Sequence, residues 1–306
     1  MISGIPSCEG HRTELKKASV IIPSYNAAGT IARCLGAVLP QARDCAAEVL
    51  LVDSSDDGTR YTVQELFPEV RLVTLPRKTA SAVSRNLGVN HARTDILVFL
   101  DSDCIPQDGW LRKILDSDLD ELAALGGSIG VYDRRNILGL QLYFLEFSEC
   151  LPNSPRRFVD RLPSCNLACQ RKALVKVGGF PDEYETSHDM VLTWRLSRLG
   201  RIHFEPSARV DHINKRGFGL VHSYAYRLGY WSRRIWAEHP FSRAHLLRQR
   251  IFLPFLPFVR AILLHHRLWR ADKSLWCLWL MTFPLYLSVV TAWTFGFVMG
   301  INKKGR

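Results

Sequence analysis

A fourfold alternation near the start of the chain constrains its fold more than any other feature. Apolar runs rich in β-branched residues, Val20–Ile22, Val49–Val52, Val70–Leu75 and Ile96–Leu100, are separated by helix-like stretches, Thr30–Leu39, Thr59–Phe67 and Ala80–His91. Strands that are apolar on both faces and alternate with helices form parallel βαβ units. Right-handed crossovers then wind these units into an open sheet with helices on both sides. The expected fold class is α/β, doubly wound and mostly parallel. Ligands of such sheets sit beyond the carboxyl ends of the strands. Three of the runs lead directly into polar residues: Pro23, Ser24, Tyr25 and Asn26 after the first, Asp53 after the second, and Asp101 and Asp103 after the fourth. Three polar clusters therefore fall on one edge of one sheet.

Asp101-Ser102-Asp103 places two carboxylates two residues apart, where they can turn toward one ion. Hard cations such as Mg²⁺ or Mn²⁺ take carboxylate oxygens and complete their shell with water and phosphate. A diphosphate leaving group calls for such an ion, because charge builds on it as its bond breaks. Chance also supplies this triplet as a solvated turn, and its place at a strand end favours the metal. Asp53, at a strand tip, can accept from the N3–H of a uracil. Asp56 to Thr59 suit a helix cap equally well. Arg85 lies in a helical stretch, from which its guanidinium can reach phosphates.

Four segments occur in order: Val20-Ile21-Ile22-Pro23-Ser24-Tyr25-Asn26, Leu51-Val52-Asp53 through Thr59, Ser84-Arg85-Asn86-Leu87-Gly88, and Phe99-Leu100-Asp101-Ser102-Asp103. Together they resemble glycosyltransferase family 2, with its GT-A fold, over about residues 18 to 215. The resemblance implies that Pro23, Tyr25 and Asp53 contact the nucleoside of a nucleotide-sugar donor, that Arg85 and Asp101 help hold the nucleotide, and that Asp103 is the main metal ligand. Gly178-Gly179-Phe180 and the segment Glu185 to Arg195 are similar to the family's acceptor loop and the helix after it. Asp189 then matches the general base. An inverting transfer needs one carboxylate to take the acceptor proton on the face opposite the leaving group. Glu185 is the rival base. His188 departs from the family, which commonly has an acidic residue there. His212 resembles the late histidine that completes the metal shell, although a lone histidine is more often structural. Processive members carry Gln/Arg-x-x-Arg-Trp; here Arg227-Leu228-Gly229-Tyr230-Trp231 lacks the second arginine, which argues for single transfers.

From Arg201 onward the chain carries 17 Lys/Arg against 4 Asp/Glu, a balance of +13, whereas the first 200 residues balance at −2. A basic patch can meet nucleic acid or anionic lipid, and the neighbouring sequence decides for lipid. Leu275–Ile301 is 27 residues without a charged side chain, and a span needs roughly 20. Trp276, Trp279, Tyr286 and Trp293 suit an interface, and Gly296 and Gly300 permit close helix contact. A buried core helix is the alternative. Positive charge flanks both ends of the run, which conflicts with one simple span. A re-entrant hairpin around Pro284, or a helix lying in the interface, resolves the conflict.

The expected organisation is an extension over 1–17, the catalytic domain over 18–215, a basic amphipathic linker over 216–250 and a membrane-associated segment over 251–306. The polar start has no secretory pattern, which puts the catalytic domain on the cytosolic side of a cell membrane. Eight scattered cysteines without a CxxC pair read as reduced thiols. The expected partners are a nucleotide-sugar donor and a membrane lipid or lipid-linked saccharide acceptor, with no nucleic acid. The sugar, the acceptor and the oligomeric state stay open. A sugar nucleotidyltransferase would carry a glycine-rich basic loop after the first strand, which Pro23-Ser24-Tyr25-Asn26 lacks. A non-catalytic membrane scaffold of the same fold has only His188 in its favour.

Overall fold

The computed structural model describes residues 18–240 and 250–300. The expected extension over 1–17, part of the expected linker, Ile301 and the terminal basic residues lie outside the described residues. The alternation read from the sequence becomes β1 (Ala18–Ser24), α1 (Ile31–Asp44), β2 (Glu48–Asp53), α2 (Thr59–Leu66), β3 (Arg71–Thr74), α3 (Ser81–His91) and β4 (Ile96–Leu100). Strands β1, β2 and β4 are almost wholly buried, as strands covered on both faces must be. They pair in parallel, β3-β2-β1-β4. Ser24 lies in register with Asp53, and Ile21 with Phe99, so the polar tips gather on one edge.

Past β4 the topology changes. β5 (Cys104–Pro106), α4 (Trp110–Leu115), β6 (Ala124–Val131), α5 (Ile137–Phe147), β7 (Arg157–Val159), β8 (Asn166–Gln170), α6 (Arg171–Lys176), α7 (His188–Ser197) and β9 (Ile202–His212) follow. The sheet continues β4-β8-β6-β9-β5, with β7 on β9, and it mixes pairing directions. Antiparallel β5 and β9 set Cys104 opposite His212. That pairing carries the end of the fourth polar cluster onto a strand more than a hundred residues later.

Gly88 decides how α3 sits. A Cβ there would lie 2.4 Å from Ile21 Cγ2 and 3.3 Å from Val52 Cγ2. Only glycine lets the helix approach β1 and β2 this closely, and the approach holds Arg85 and Asn86 above the sheet's edge.

Within the stretch expected as a basic amphipathic linker lies α8 (Phe218–Glu238), a helix of 21 residues. After a 3-10 turn (Arg250–Phe255) come α9 (Leu256–Ala271), α10 (Lys273–Met281) and α11 (Phe283–Met299). The uncharged run is not one helix. It breaks between Met281 and Phe283 with a bend of 82°, next to Pro284, and among the described residues no single helix is long and apolar enough to cross a membrane. Proline in the first turn of α11 lacks the N–H that a continuous helix would use.

α8 and α11 lie side by side in the same direction. His222 Nε2 meets Ser288 Oγ at 3.0 Å near their starts, and Gly300 contacts Arg233 near their ends. A Cβ on Gly229 would fall 1.9 Å from the Trp293 carbonyl, and one on Gly296 would fall 2.0 Å from the Tyr226 carbonyl. The expected close contact at Gly296 and Gly300 is thus made, with α8 as the partner. Replacing Gly229 by Val should force the helices apart at a cost of about 1–3 kcal/mol. A clear drop in the thermal midpoint of the full protein is expected; an unchanged midpoint would show that this contact does not contribute to stability.

Candidate active site

A cleft at the carboxyl edge of the sheet is lined by Pro23, Ser24, Tyr25, Thr79, Ser81, Ser84, Arg85, Asp101, Ser102 and Asp103. It therefore gathers most of the residues expected to meet a nucleotide. Tyr25 is 40% exposed at its mouth, with Lys78 Nζ 4.9 Å from its ring centroid. Asn26 takes φ 51°, a left-handed turn that brings its backbone N–H to Ser55 Oγ at 2.8 Å. Asp53 is placed differently. It is fully buried behind the cleft wall, where its carboxylate accepts from Ser55 Oγ at 2.5 Å and from Arg60 Nε at 2.8 Å. There it anchors the loop after β2, and a base could reach it only if Ser55 or Arg60 gave way.

Arg85 is the centre of the cleft. Its side chain is 3% exposed. Nη2 donates to Asp101 Oδ1, Nη1 donates to His188 Nε2 at 2.9 Å, and the guanidinium lies 5.4 Å from the Phe180 ring centroid. Nε is buried without a protein partner, as is Ser24 Oγ beside it. Two orphaned groups with N–H or O–H to give, at the wall of one cleft, suit an anionic ligand. The next residue, Asn86, clamps the backbone of Phe180 from both sides, accepting its N–H at 2.9 Å and donating to its carbonyl at 2.8 Å. Gly178 and Gly179 take φ 83° and 73°, and this left-handed pair turns the chain into the clamp. Arg85-Asn86 thereby joins the cleft to the loop that carries Asp189.

The role of His188 was not foreseen. Arginine can only donate, so His188 Nε2 accepts and the proton sits on Nδ1. Burial, followed by the charge of Arg85, pushes the imidazole down to about 3. A neutral ring that accepts a hydrogen bond thus stands beside Arg85. Asp189, the next residue, is half-buried at the start of α7. It accepts from the N–H of Ser164 at 3.2 Å and of Met190 at 2.9 Å, and burial holds its carboxyl above the usual range. Glu185 is exposed and accepts from Arg227 at 3.1 Å.

Asp103 and His212 meet across the β5–β9 pairing, Nε2 to Oδ2 at 3.5 Å. His212 Nδ1 lies 2.8 Å from Asn214 Oδ1. This bond fixes the tautomer and turns Nε2 toward Asp103, as for histidines that ligate metals. Burial opposes a charge on His212, but the Asp103 carboxylate outweighs it and raises the imidazole to about 9. A divalent cation would supply the positive charge that the proton supplies otherwise. Cys104 completes a group of three possible ligands. Burial pushes its thiol up to about 12, so it stays protonated and suits a hard cation poorly. Carboxylate and imidazole fit Mg²⁺ or Mn²⁺. The seven described cysteines are free, and only Cys277 is exposed.

Glu146 is a further group that the sequence reading passed over. It is the one charged residue of apolar α5, and that isolation was the available signal. Burial raises its carboxyl to about 7, opposed by Lys215 and His212. Its neighbour Phe147 packs on His212 with ring centroids 4.9 Å apart.

The model of the family described as glycosyl transferase family 2 matches residues 19–174. Among curated relatives, the pre-mycofactocin glycosyltransferase of Mycobacterium tuberculosis is 29% identical over 223 residues, 69% of this chain and 44% of that protein. The chain thus spans less than half the length of that relative. Glycosyltransferase AglE of Haloferax volcanii is 27% identical over 254 residues, 78% of this chain and 81% of that one. Among solved structures, mannosyltransferase PcManGT from Pyrobaculum calidifontis, in complex with GDP-Man and Mn²⁺, superposes with a TM-score of 0.62 at 20% identity, covering 94% of this chain and 88% of that one. S. aureus TarS 1-349, in complex with UDP-GlcNAc, gives 0.53 at 17% identity, covering 93% and 90%. The two likenesses show the fold.

The state of His188 can be tested directly. Its imidazole should remain neutral, with the proton on Nδ1, from about pH 5 to pH 8, the range in which an ordinary histidine titrates. Nitrogen-detected NMR on the full protein would report this. A titration midpoint near 6.5 would mean that Arg85 does not donate to it.

Proposed function

The chain belongs to glycosyltransferase family 2, and from that premise we propose that it transfers one sugar, with inversion, from a nucleotide-linked donor to a hydroxyl acceptor at a membrane surface. A UDP-sugar is the first candidate donor, and a glycolipid or lipid-linked saccharide is the acceptor class. One observation carries the reading: Arg85 links the cleft that holds the Asp103–His212 pair to the loop that holds Asp189. Charge stabilisation for a leaving group and a proton acceptor are thereby held in one frame.

Pro23 and Tyr25 border the nucleoside, while Arg85 Nε–H and Ser24 O–H supply donors for the diphosphate. Asp103 and His212 would hold Mg²⁺ or Mn²⁺, which supplies positive charge to the departing diphosphate. Asp189 accepts the acceptor hydroxyl proton as that oxygen bonds to the anomeric carbon and the bond to the diphosphate breaks. Burial helps Asp189, because a carboxyl held above its usual range is the stronger base.

Asp189→Asn should lower turnover by about a hundredfold or more while UDP binding persists. Lowering the pH protonates the base, so kcat/KM should fall at a higher pH than an ordinary aspartate would dictate. Asp103→Ala and excess chelator should each abolish transfer. Activity that survives chelator would remove the metal from the mechanism, and a dead Glu185→Gln beside an active Asp189→Asn would reassign the base.

The membrane part of the proposal rests on the C-terminal helices. Phe255, at the end of the 3-10 turn, and Phe258, Val259, Ile262 and Leu263 on α9 are all exposed and follow helical spacing, forming one apolar stripe. Arg270 and Lys273 lie beyond its end. An apolar stripe with basic neighbours suits a helix lying in the interface, and the bend before α11 accords with that arrangement. Apolar insertion resists salt, whereas charge attraction is screened. The full chain should therefore stay with membranes through a high-salt wash and leave with detergent. Release by salt alone would refute insertion.

A further inference from the structure

A second and larger hollow lies outside the cleft just described, with a volume of about 640 Å³. That falls within the roughly 300–1,000 Å³ typical of ligand sites. Its walls are Tyr226, Arg227, Tyr230, Trp231 and Arg234 on α8, Glu185 from the loop before α7, and Met299 at the end of α11. Resting on the reading of the first cleft as a site of sugar transfer, we propose that this hollow binds the sugar units of an oligosaccharide acceptor that lie beyond the reacting hydroxyl.

The lining chemistry selects this ligand over two others. A prenyl or acyl chain wants aliphatic walls, and Met299 is the one aliphatic side chain here. A phosphate wants unopposed cations, yet Glu185 stands among the two arginines and binds Arg227 at 3.1 Å. A saccharide wants what is present. Aromatic faces cover the C–H faces of pyranose rings, and guanidinium and carboxylate groups bond to adjacent hydroxyls. Trp231 and Tyr230 meet edge to face at 5.7 Å, which presents two ring orientations to the hollow. Arg234 lies 4.9 Å from the Trp231 ring centroid and Arg227 lies 5.5 Å from that of Tyr224. Both guanidinium groups are therefore held in place at little conformational cost.

Position supports the same conclusion. Glu185, in the wall of the hollow, belongs to the loop that leads directly to His188 and the proposed base Asp189. Tyr184, Val191 and Ile235, with Trp231 packed on them, tie the outer half of α8 to α7. The loop and the hollow are thus fixed to each other. The acceptor implied is an oligosaccharide, one sugar of which carries the reacting hydroxyl.

The test uses the full protein in detergent, with mannotriose, chitotriose, maltotriose and the matching monosaccharides as probes in saturation-transfer NMR. At least one trisaccharide should bind, and Tyr230→Ala and Arg234→Gln should each weaken it about tenfold or more. Both side chains are half-buried, and UDP binding in Mn²⁺ should be unchanged in both variants, which shows that they fold. Failure of every trisaccharide to bind, while the wild type binds UDP, would overturn the proposal and leave the transferase reading intact. The same would follow if a polyprenyl phosphate in mixed micelles bound and only its affinity fell in the variants. Loss of UDP binding in the wild type would instead sink the reading of the first cleft, and this proposal with it.

Discussion

The structure of the site depends on one buried guanidinium. A charge taken out of water is costly unless it is paired and hydrogen-bonded. Arg85 meets that condition with Asp101 on one side and the neutral acceptor His188 on the other. The two partners come from different elements, the end of β4 and the start of α7. Satisfying one side chain therefore fixes the distance between the cleft edge and the segment that carries Asp189. Asn86 repeats the constraint through the backbone of Phe180, and Gly88 permits it by letting α3 sit directly on β1. Three residues within one helical turn thus bind the two halves of the site together.

His188 changes the electrostatics of this arrangement. Asp101 already balances the charge of Arg85, and a carboxylate at position 188 would leave the group net negative. A neutral imidazole satisfies the hydrogen bond without adding a negative charge, so the cleft repels an anion less. Its low basicity follows first from burial, which disfavours the charged ring, and then from the charge of Arg85 beside it. The departure from the family's usual residue is thus chemically coherent with binding an anion.

The Asp103–His212 pair depends on a different kind of constraint. Asp103 ends the loop after β4, and His212 ends β9. They meet because β5 folds back antiparallel onto β9 and places Cys104 opposite His212. Asn214, two residues on, orients the ring. At the other end of the molecule, α8 and α11 approach through glycines on both helices. That contact joins the catalytic domain to the apolar segment, and it makes α8 at once a wall of the second hollow and the seat of α11.

Much of this was legible in the sequence because it depends on local pattern. The alternation of apolar runs specified the parallel half of the sheet, since only buried strands tolerate such runs. The polar residues at strand ends specified the cleft edge, and the proline at 284 marked where an uncharged run would break. Other features required the third dimension. The mixed half of the sheet, β8 and β6 between β4 and β9, has short strands without a distinctive period, and its order follows from pairing between distant segments. The burial of Asp53, the use of Arg85 as a brace, the neutral state of His188 and the raised carboxyl of Glu146 all arise from neighbours distant in sequence. Residue type and spacing specify which chemistry is available; burial and partners decide which charge each group carries and which way it faces, because desolvation and pairing act only once the chain has closed around them.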